Sequence, residues 1–423
     1  MIVQVFEPGE GGHFTNYIEA LLPALTQLLE EARIRKIVIT TRRSHLDAPA
    51  FKNQLLRYAS KVHFDASLPS LAHTPRSARA LAAALLESIA RFQPDYLIAT
   101  TADFESVVLA IRSVMRRRTF PKELHSVGVF HYGYAGMATS LADHFKDGVY
   151  RFSWRFSPWS ELRIVNPLFY EALRKSEKVA PARLSVLPHP VKRFARIEKA
   201  AARETLGIPV DGRYLGCAGI VDRRRAIPEL LAAFREATSL RTDRLLLAGC
   251  LCEPYKALIE RDFADLQRDQ RLIVLDRYLT ESELNAGLCA LDVAALTYYP
   301  RPNLSANLLE AVAAHRPVIA DSSGYTGMAV KRFDLGWSCD IRDPASLAST
   351  IHTALEASGE YRPSARTERL MAFHDPKNYA ASVLSALYVS VGLASPELKT
   401  WEWATGLAEG PSSAAGRSPG IAT

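Results

Sequence analysis

Short apolar segments alternate with longer amphipathic segments along most of this 423-residue chain. In the first half, IVQVF at 2–6 predicts a buried strand, 14–32 has the apolar spacing of a helix, and KIVIT at 36–40 predicts a second strand. Further strands are predicted at 61–64, 96–100 and 126–131, with a helix at 78–92. Such alternation requires a parallel sheet covered by helices on both faces. The first half is therefore predicted to be a doubly wound α/β domain.

A second series of the same kind follows residue 212. Its predicted strands are 213–219, 244–249, 271–275, 293–296 and 317–320, and its predicted helices are 227–238, 255–268, 281–291 and 305–314. The chain is two to three times the usual length of one domain, so two cores are expected. Pro188 and Pro190 mark the junction, because proline stiffens a link and removes backbone donors. The predicted domains are 1–190 and 191–374, and the Gly-, Ser-, Ala- and Pro-rich stretch 396–423 is predicted to be a flexible tail.

Composition indicates a folded protein of a reducing compartment. Hydrophobic residues make up 48% and charged residues 23%, which is ordinary globular usage. The five cysteines are odd in number and include no CxxC pair, which disfavours a disulfide scaffold or structural zinc. The N-terminus lacks the basic region of a signal peptide, and no apolar run approaches about 18 residues. A cytoplasmic location, without metal or bound cofactor, is expected.

The positive charge is unevenly distributed. Residues 1–190 contain 24 Lys and Arg against 17 Asp and Glu, whereas 191–423 contain 28 of each, so the first half carries the whole net charge of +7. This asymmetry favours an anionic partner such as membrane lipid, an acidic glycan or nucleic acid. The alternative is ordinary solvated surface charge. No nucleic-acid recognition motif accompanies the arginines, so nucleic acid ranks last.

Glycine-rich and aromatic segments in the first half suggest contacts with a ligand. Gly11, Gly12 and His13 lie between the first strand and the first helix, where a sugar or phosphate can approach backbone N–H groups. The loop is not GxGxxG, and a turn without a ligand is the alternative. The aromatic residues between 152 and 159 suggest sugar stacking, lipid contact or packing between domains (Phe152, Trp154, Phe156 and Trp159).

Two segments of the second half suggest a site for a diphosphate. The arginine run ending in Arg224 and Arg225 follows that half's first strand, at the edge where open α/β sheets bind ligands. A guanidinium fork suits phosphate oxygens, although a solvated charge run is the alternative. Ser305 is the expected N-cap of a later helix, and Glu310 lies where a carboxylate can accept ribose hydroxyls.

The order of these motifs resembles a known family. GIVDRRRAIPELLAAF, RLLLAG, VLDRYLTESELNAGLCALDVAAL and NLLEAVAAHRPVIADSSG follow the pattern of the C-terminal domain of GT-B glycosyltransferases, specifically family four. LSVLPHPVKRF resembles its interdomain segment. The resemblance implies an α/β GT-B architecture with two Rossmann-like doubly wound domains facing across a cleft. It also implies that the helix within 375–395 returns towards the N-terminal domain.

The resemblance also implies residue roles. It implies that Arg225 binds the donor phosphate and that Glu310 binds the ribose. Backbone groups between Ser305 and Asn307 would contact the diphosphate, and backbone around Tyr278 would contact the base. His131, at the end of a strand, resembles the histidine that reaches the donor sugar, although a hydrogen-bonded core histidine is the alternative. The Gly11–Gly12 loop is implied to lie on the acceptor side.

Two positions depart from the family pattern. Pro302 stands where the family has the first of two glutamates, which meets the donor sugar, and proline offers no carboxylate. Ile220 replaces an arginine, leaving Arg223 or Arg224 as substitutes. These departures leave three expected functions open. The leading one is a metal-independent, retaining glycosyltransferase acting on a nucleoside diphosphate sugar and an envelope or lipid-linked glycan. Its expected location is either free in the cytoplasm or peripheral on the inner membrane face. The alternatives are a non-catalytic nucleotide-sugar-binding partner and a GT-B-fold sugar-nucleotide epimerase.

Overall fold

The computed structural model describes residues 1–9, 12–69, 75–117, 119–133, 140–175, 183–191, 195–238, 242–299 and 303–405. The chain divides into two compact units. The first unit comprises Met1–Pro190 and Phe373–Trp401, and the second comprises Val191–Ala372 and the residues from Glu402 on.

The first unit contains a seven-stranded, fully parallel sheet in the order β3-β2-β1-β4-β5-β6-β7. Its strands are β1 Ile2–Phe6, β2 Lys36–Arg42, β3 Val62–Leu68, β4 Tyr96–Ala99, β5 His125–Phe130, β6 Glu161–Ile164 and β7 Leu184–Val186. Central strand β1 is buried along its whole length, as expected for a sheet covered on both faces. Its one polar residue, Gln4, donates hydrogen bonds from its amide nitrogen to Thr40 Oγ1 (2.9 Å) and Ser88 Oγ (3.0 Å).

Helices cover both faces of this sheet. They are α1 Gly12–Glu30, α2 Arg43–Asp47, α3 Pro49–Leu55, α4 Pro75–Phe92, α5 Asp103–Val114, α6 Leu141–Phe156 and α7 Pro167–Lys175, together with the late helix α17 Pro376–Ser390. Helix α17 packs against α1, and its Tyr379, Val383 and Leu387 join Val3 and Val5 in the core. The late helix therefore completes the first unit.

The second unit contains a six-stranded parallel sheet in the order β10-β9-β8-β11-β12-β13. Its strands are β8 Arg213–Ala218, β9 Asp243–Ala248, β10 Leu272–Leu275, β11 Val293–Leu296, β12 Val318–Asp321 and β13 Gly336–Cys339. Its helices are α8 Lys199–Leu206, α9 Ile227–Ala237, α10 Glu253–Asp262, α11 Ala264–Arg268, α12 Glu281–Ala290, α13 Ala306–Ala313, α14 Gly324–Arg332, α15 Pro344–Ala357, α16 Ala365–Phe373 and α18 Glu402–Thr405.

Strand order reverses once in each sheet. The reversal lies between β1 and β4 in the first unit and between β8 and β11 in the second. Loops leaving the two neighbouring strands diverge there to opposite faces of the sheet, which opens a crevice at the carboxyl edge. Ligand-binding residues are therefore expected at the ends of these four strands.

The end of the described chain differs from the predicted tail. Trp401 is buried, its ring centroid lies 5.2 Å from that of Phe373, and its indole Nε1 donates to Glu171 Oε1 at 3.4 Å. Ala404 in α18 is also buried. The apolar side chains within 396–405 therefore hold that stretch in place, although its composition predicts a tail. The remainder, 406–423, lies outside the described residues.

Candidate functional site

Two glycines bring the loops after β8 and β9 into direct contact. Gly219 has φ +106° and Gly249 has φ +131°, a region that side-chain-bearing residues rarely adopt. A Cβ atom on Gly249 would lie 1.9 Å from Gly219 O, and one on Gly219 would lie 3.2 Å from Asn307 Nδ2. Glycine at 249 is thus required by both backbone conformation and space.

Arg225 is buried at the carboxyl edge of the second unit's sheet, and not all of its guanidinium nitrogens form hydrogen bonds. Its side chain is 1% exposed, its Cζ lies 4.5 Å from the ring centroid of Tyr298, and its Nε donates to Ile220 O at 3.0 Å. The hydroxyl of Tyr255 donates to Arg225 O at 2.6 Å. Arg225 Nη1 is buried and has no hydrogen-bond partner among the described residues. A charged donor left unsatisfied in this way is costly, so an anionic ligand at this edge would stabilise it.

Helix α13 starts beside the same edge. Ser305 occupies its N-cap position and is buried, but its side chain makes no capping hydrogen bond. Asn307 Nδ2 donates to Ala218 O at 3.0 Å, which fixes the first turn against the end of β8. The positive end of the α13 dipole therefore faces the crevice without neutralisation by the capping side chain.

Glu310 is half-buried one turn further along α13. Burial raises the pKa of its carboxyl to about 7, and the positive charge of Arg225 opposes this rise. A carboxyl in this state exchanges its proton near neutral pH. It can accept hydrogen bonds from ligand hydroxyls in either form.

Two further polar side chains of this unit, which the sequence did not mark as candidates, also lack hydrogen bonds within the described residues. Thr297 Oγ1 and Asn303 Oδ1 are buried and have no hydrogen-bond partner in the part of the chain that the structure describes. Thr297 directly follows β11, the strand next to β8 where the strand order reverses. Its position at the end of a predicted strand is the sequence feature that could have marked it as a candidate site residue. Pro302, the departure noted from the family pattern, lies outside the described residues.

The other predicted donor-site residues lie at the surface. Arg224 Nε donates to both carboxylate oxygens of Asp222, at 2.9 and 2.8 Å. Burial would raise the pKa of Asp222, but its hydrogen bonds and ion pair with Arg224 outweigh this and lower it. Tyr278 is 68% exposed in the loop after β10. The structure thus separates Arg225, which is buried and has an unused donor, from Arg224, whose guanidinium is engaged by Asp222.

The crevice of the first unit is built around a buried carboxyl. Glu7 follows β1 and accepts hydrogen bonds from Gly9 N (2.5 Å), Thr100 Oγ1 (2.7 Å) and Thr101 Oγ1 (3.2 Å). Burial raises the pKa of Glu7 to about 7, despite these hydrogen bonds and the positive charge of Arg42. Glu7 thereby ties the loops after β1 and β4 together, a role that the sequence analysis did not assign to it.

His131 follows β5 and is fixed at both its backbone and its ring. Its backbone N donates to Asp103, at 3.1 Å from each carboxylate oxygen, and its ring Nε2 donates to Thr100 O at 2.9 Å. Burial raises the pKa of Asp103 to about 7, and hydrogen bonds from Tyr132 N and His131 N oppose the rise. Because Nε2 carries the proton in the hydrogen bond to Thr100 O, Nδ1 of the neutral ring is a hydrogen-bond acceptor. It lies 3.5 Å from Tyr17 Oη.

The remaining predicted residues of the first unit are only partly described. Gly12 begins α1 and His13 belongs to its first turn, whereas Gly11 lies outside the described residues. Trp154 and Trp159 of the aromatic segment are core residues with 2% or less exposure, so stacking on a ligand is excluded for them. Phe156 is exposed and Phe152 is half-buried.

Within the described residues, no group of three or more His, Cys, Asp or Glu side chains is placed to hold a metal ion. Among the helices described, none has the length and apolar character needed to cross a bilayer.

We expect Glu310→Gln to change stability in a pH-dependent way. Between the ordinary glutamate value of 4.5 and about 7, the folded chain retains a proton that the unfolded chain has lost. Wild-type stability contributed by this group is therefore complete below 4.5 and falls as pH rises towards 7. Glutamine does not ionise, so the variant does not lose this stability. Its free energy of unfolding should equal that of the wild type at pH 4.5 and exceed it by up to about 3 kcal/mol at pH 8.

Urea unfolding at the two pH values measures this difference. Glu260→Gln, at an exposed position of α10, is the control and should differ little from the wild type. An equal effect of Glu310→Gln at both pH values would contradict the raised pKa.

Comparison with known proteins finds a family match within the second unit. Residues 212–357 match the family model described as "Glycosyl transferases group 1". No curated protein sequence matches this chain. The matched range contains Arg225, Ser305, Asn307 and Glu310.

Solved structures resemble the whole chain in fold. Anabaena Alr3699/HepE in complex with UDP is 17% identical, with a TM-score of 0.62, and the match covers 92% of this chain and 100% of that one. WaaG, a glycosyltransferase involved in lipopolysaccharide biosynthesis, is 14% identical, with a TM-score of 0.62 and coverage of 93% and 100%. Sucrose-phosphate synthase from Thermosynechococcus elongatus is 17% identical, with a TM-score of 0.64 and coverage of 92% and 99%.

At these identities the likeness concerns the fold, whereas the family model concerns the sequence of the second unit. The two agree with each other and with the two parallel sheets described above. This chain has the GT-B glycosyltransferase fold, and its second unit matches the glycosyl transferases group 1 model over residues 212–357.

Proposed function

We propose that this chain transfers a glycosyl unit from a nucleoside diphosphate sugar, bound by the second unit, to an acceptor hydroxyl. The observation that carries the proposal is the buried, unpartnered Nη1 of Arg225 at the carboxyl edge of a glycosyl transferases group 1 domain. A diphosphate supplies the acceptor atoms that this donor lacks.

The proposed reaction places negative charge where the second unit provides positive groups. The bond between the sugar C1 and the diphosphate oxygen breaks, and its electron pair stays on the diphosphate. The acceptor oxygen bonds to C1, and its proton passes to the departing diphosphate. Arg225 and the N-terminus of α13 stabilise the charge on the departing diphosphate, which requires no metal in this proposal. Retention of anomeric configuration is proposed from the family resemblance.

Other residues of the second unit are proposed to hold the nucleoside. Glu310 accepts the ribose hydroxyls, and backbone around Tyr278 contacts the base. The structure of Anabaena Alr3699/HepE contains UDP, so uridine diphosphate sugars are the first donors to test.

A panel of nucleotide sugars tests the proposal. Thermal shifts with UDP, GDP and ADP sugars should reveal a selective ligand, because binding to the folded state raises the unfolding temperature. The selected donor is then incubated with acceptors, and products are resolved by chromatography. Transfer or slow hydrolysis supports the proposal. Binding without turnover would favour the non-catalytic alternative, and conversion to an epimeric sugar nucleotide would favour an epimerase.

His131→Ala is expected to reduce turnover at least tenfold while leaving nucleotide affinity within about twofold. The proposed nucleotide residues all belong to the second unit, whereas His131 belongs to the first. A positioned histidine that contacts reacting groups typically contributes about 100-fold or more. Steady-state rates and calorimetric titration of the nucleoside diphosphate measure the two quantities. Unchanged turnover would make His131 a structural residue held by Thr100 and Asp103.

We further propose an anionic or lipid-linked envelope glycan as acceptor, met by a protein located at the cytoplasmic face of the membrane. The whole net positive charge belongs to residues 1–190, and WaaG, which shares the fold, is involved in lipopolysaccharide biosynthesis. Transfer to matched acidic and neutral acceptors tests the choice, and a preference for neutral acceptors would contradict it.

A further inference from the structure

Helix α6 carries an apolar stripe on its outer side. Leu141, Phe145, Phe152 and Phe156 are spaced by four, seven and four residues, which places them within an arc of about 60° around the helix. Leu141 is 90% and Phe145 74% exposed. The rings of Phe152 and Phe156 contact each other, with centroids 5.0 Å apart. We call these four residues the α6 stripe.

The core of the first unit is contacted by a different side of α6. Trp154 is buried there, with its ring packed edge-on against Phe130 at a centroid distance of 6.4 Å. The start of the helix is fixed by Ser140, whose hydroxyl accepts from Asp143 N at 3.1 Å. The helix therefore folds without using the stripe, and the apolar side chains of the stripe are not part of the core.

Neighbouring helix α5 extends the same kind of surface. It packs beside α6, and Ile111, Val114 and Met115 near its end are each about half exposed. Together with the exposed residues of the stripe, they make up six of the twelve large apolar side chains that are exposed in the described ranges. Such a concentration of apolar side chains marks an interaction surface rather than the scattered exposure of a monomer.

Positive charge adjoins the C-terminal ends of both helices, about 20 Å along α6 from Leu141. No acidic residue occurs from 106 to 122, a range that contains Arg112, Arg116, Arg117, Arg118 and Lys122. Arg116 and Arg117 are exposed just after α5, and the exposed Arg155 lies near the end of α6, with its Cζ 5.2 Å from the Phe156 ring centroid. Both helices lead into neighbouring parallel strands, β5 and β6, so their ends lie at the same edge of the sheet.

We propose that the α6 stripe and the arginines following α5 dock the first unit on an anionic lipid bilayer. Exposed leucine and phenylalanine insert at the level of the headgroups, while arginine binds lipid phosphate. Charge selects this occupant over a second copy of the chain, because a symmetric contact would bring the two sets of exposed arginines together, while the two carboxylates of α6, Asp143 and Asp147, already pair with Lys146 and Arg151. The inference deepens the proposed function, since it rests on a lipid-linked acceptor, and it assigns the surface that reaches such an acceptor.

Vesicle sedimentation of the full chain tests the surface. Wild-type protein is mixed with vesicles of neutral phospholipid alone or with 30% anionic phospholipid (about the charge of a cytoplasmic leaflet), at low and high salt. The apolar variant is Leu141→Ser with Phe145→Ser, and Val389→Ser, an exposed apolar position on α17, is its control. The charge variant is Arg116→Glu with Arg117→Glu, matched by Arg33→Glu with Arg35→Glu, two exposed arginines between α1 and β2.

The expected result is binding to anionic vesicles that falls about tenfold or more in both test variants and little in both controls. Nucleoside diphosphate affinity, measured on the same preparations, should stay at the wild-type value in every variant. Unchanged vesicle binding in either test variant would overturn the assigned surface. Loss of self-association in the apolar variant, without a change in vesicle binding, would assign the surface to a second copy. Failure of the wild type to bind anionic vesicles, with donor affinity intact, would overturn this inference and leave the donor proposal standing.

Discussion

Arg225→Ala should weaken nucleoside diphosphate binding by about 10- to 150-fold, which corresponds to the roughly 1.5–3 kcal/mol of a charge-assisted hydrogen bond. The expected loss follows from the position of the guanidinium, which is buried over Tyr298 with Nη1 unpartnered. A bound diphosphate accepts a hydrogen bond from that donor. Alanine provides neither this hydrogen bond nor the positive charge of the guanidinium. Calorimetric titration with the nucleoside diphosphate measures the change.

Two further arginine substitutions make the Arg225 result specific. Arg235→Ala removes an exposed arginine that pairs with Asp265 on the outside of the second unit, and it should leave affinity unchanged. Arg225→Lys keeps the charge but loses the planar fork, so it should fall between wild type and Arg225→Ala. Equal affinity of Arg225→Ala and wild type would contradict the assignment of the diphosphate site.

Gly249→Ala should destabilise the second unit by about 2–6 kcal/mol. Backbone strain at φ +131° contributes about 1–3 kcal/mol, and the forced displacement of packed atoms adds a similar amount. The new Cβ would lie 1.9 Å from Gly219 O, so the loops after β8 and β9 must separate. Since Gly219 adjoins Asn307 and the start of α13, donor affinity should fall as well. Urea unfolding and calorimetric titration measure the two effects.

Gly207→Ala is the matched control for Gly249→Ala. Gly207 ends α8 at φ +66°, and a Cβ atom there would have nothing within 4 Å. It therefore reports backbone strain alone, expected to be about 1–2 kcal/mol, with donor affinity unchanged. If the two substitutions cost the same, the close approach of Gly249 to Gly219 would not be an energetic constraint.

The charge state of the site adds a condition on these measurements. Glu310 and, in the first unit, Glu7 and Asp103 each have a pKa raised to about 7 by burial. Each therefore changes its protonation in the range where activity is usually measured. Donor affinity and turnover should be compared at fixed pH, and pH profiles of the Glu310→Gln variant separate its contribution from those of the first unit.

Local sequence was sufficient for the central strands of both sheets. Strands β1 and β11 were predicted with the bounds that the structure has, because both are almost entirely apolar, as expected of strands covered on both faces. Strands β6, β7 and β13 were missed. Each has only three or four residues, and polar or half-buried positions interrupt its apolar pattern. Their strand conformation depends on hydrogen bonds from a neighbouring strand.

The candidate donor site was predictable in outline because its residues adjoin strand ends and a helix start, which are local features. The sequence alone therefore determined two α/β units, the family resemblance and the position of the arginine run at a sheet edge. Only the tertiary structure decided that Arg225 is buried with an unused donor while Arg224 pairs with Asp222. It also decided that Glu7 joins two loops and that Trp401 is packed in the first unit. The burial of Arg225 and Trp401, and the hydrogen bond between Thr100 and Glu7, depend on residues far away in the chain, which no local pattern encodes.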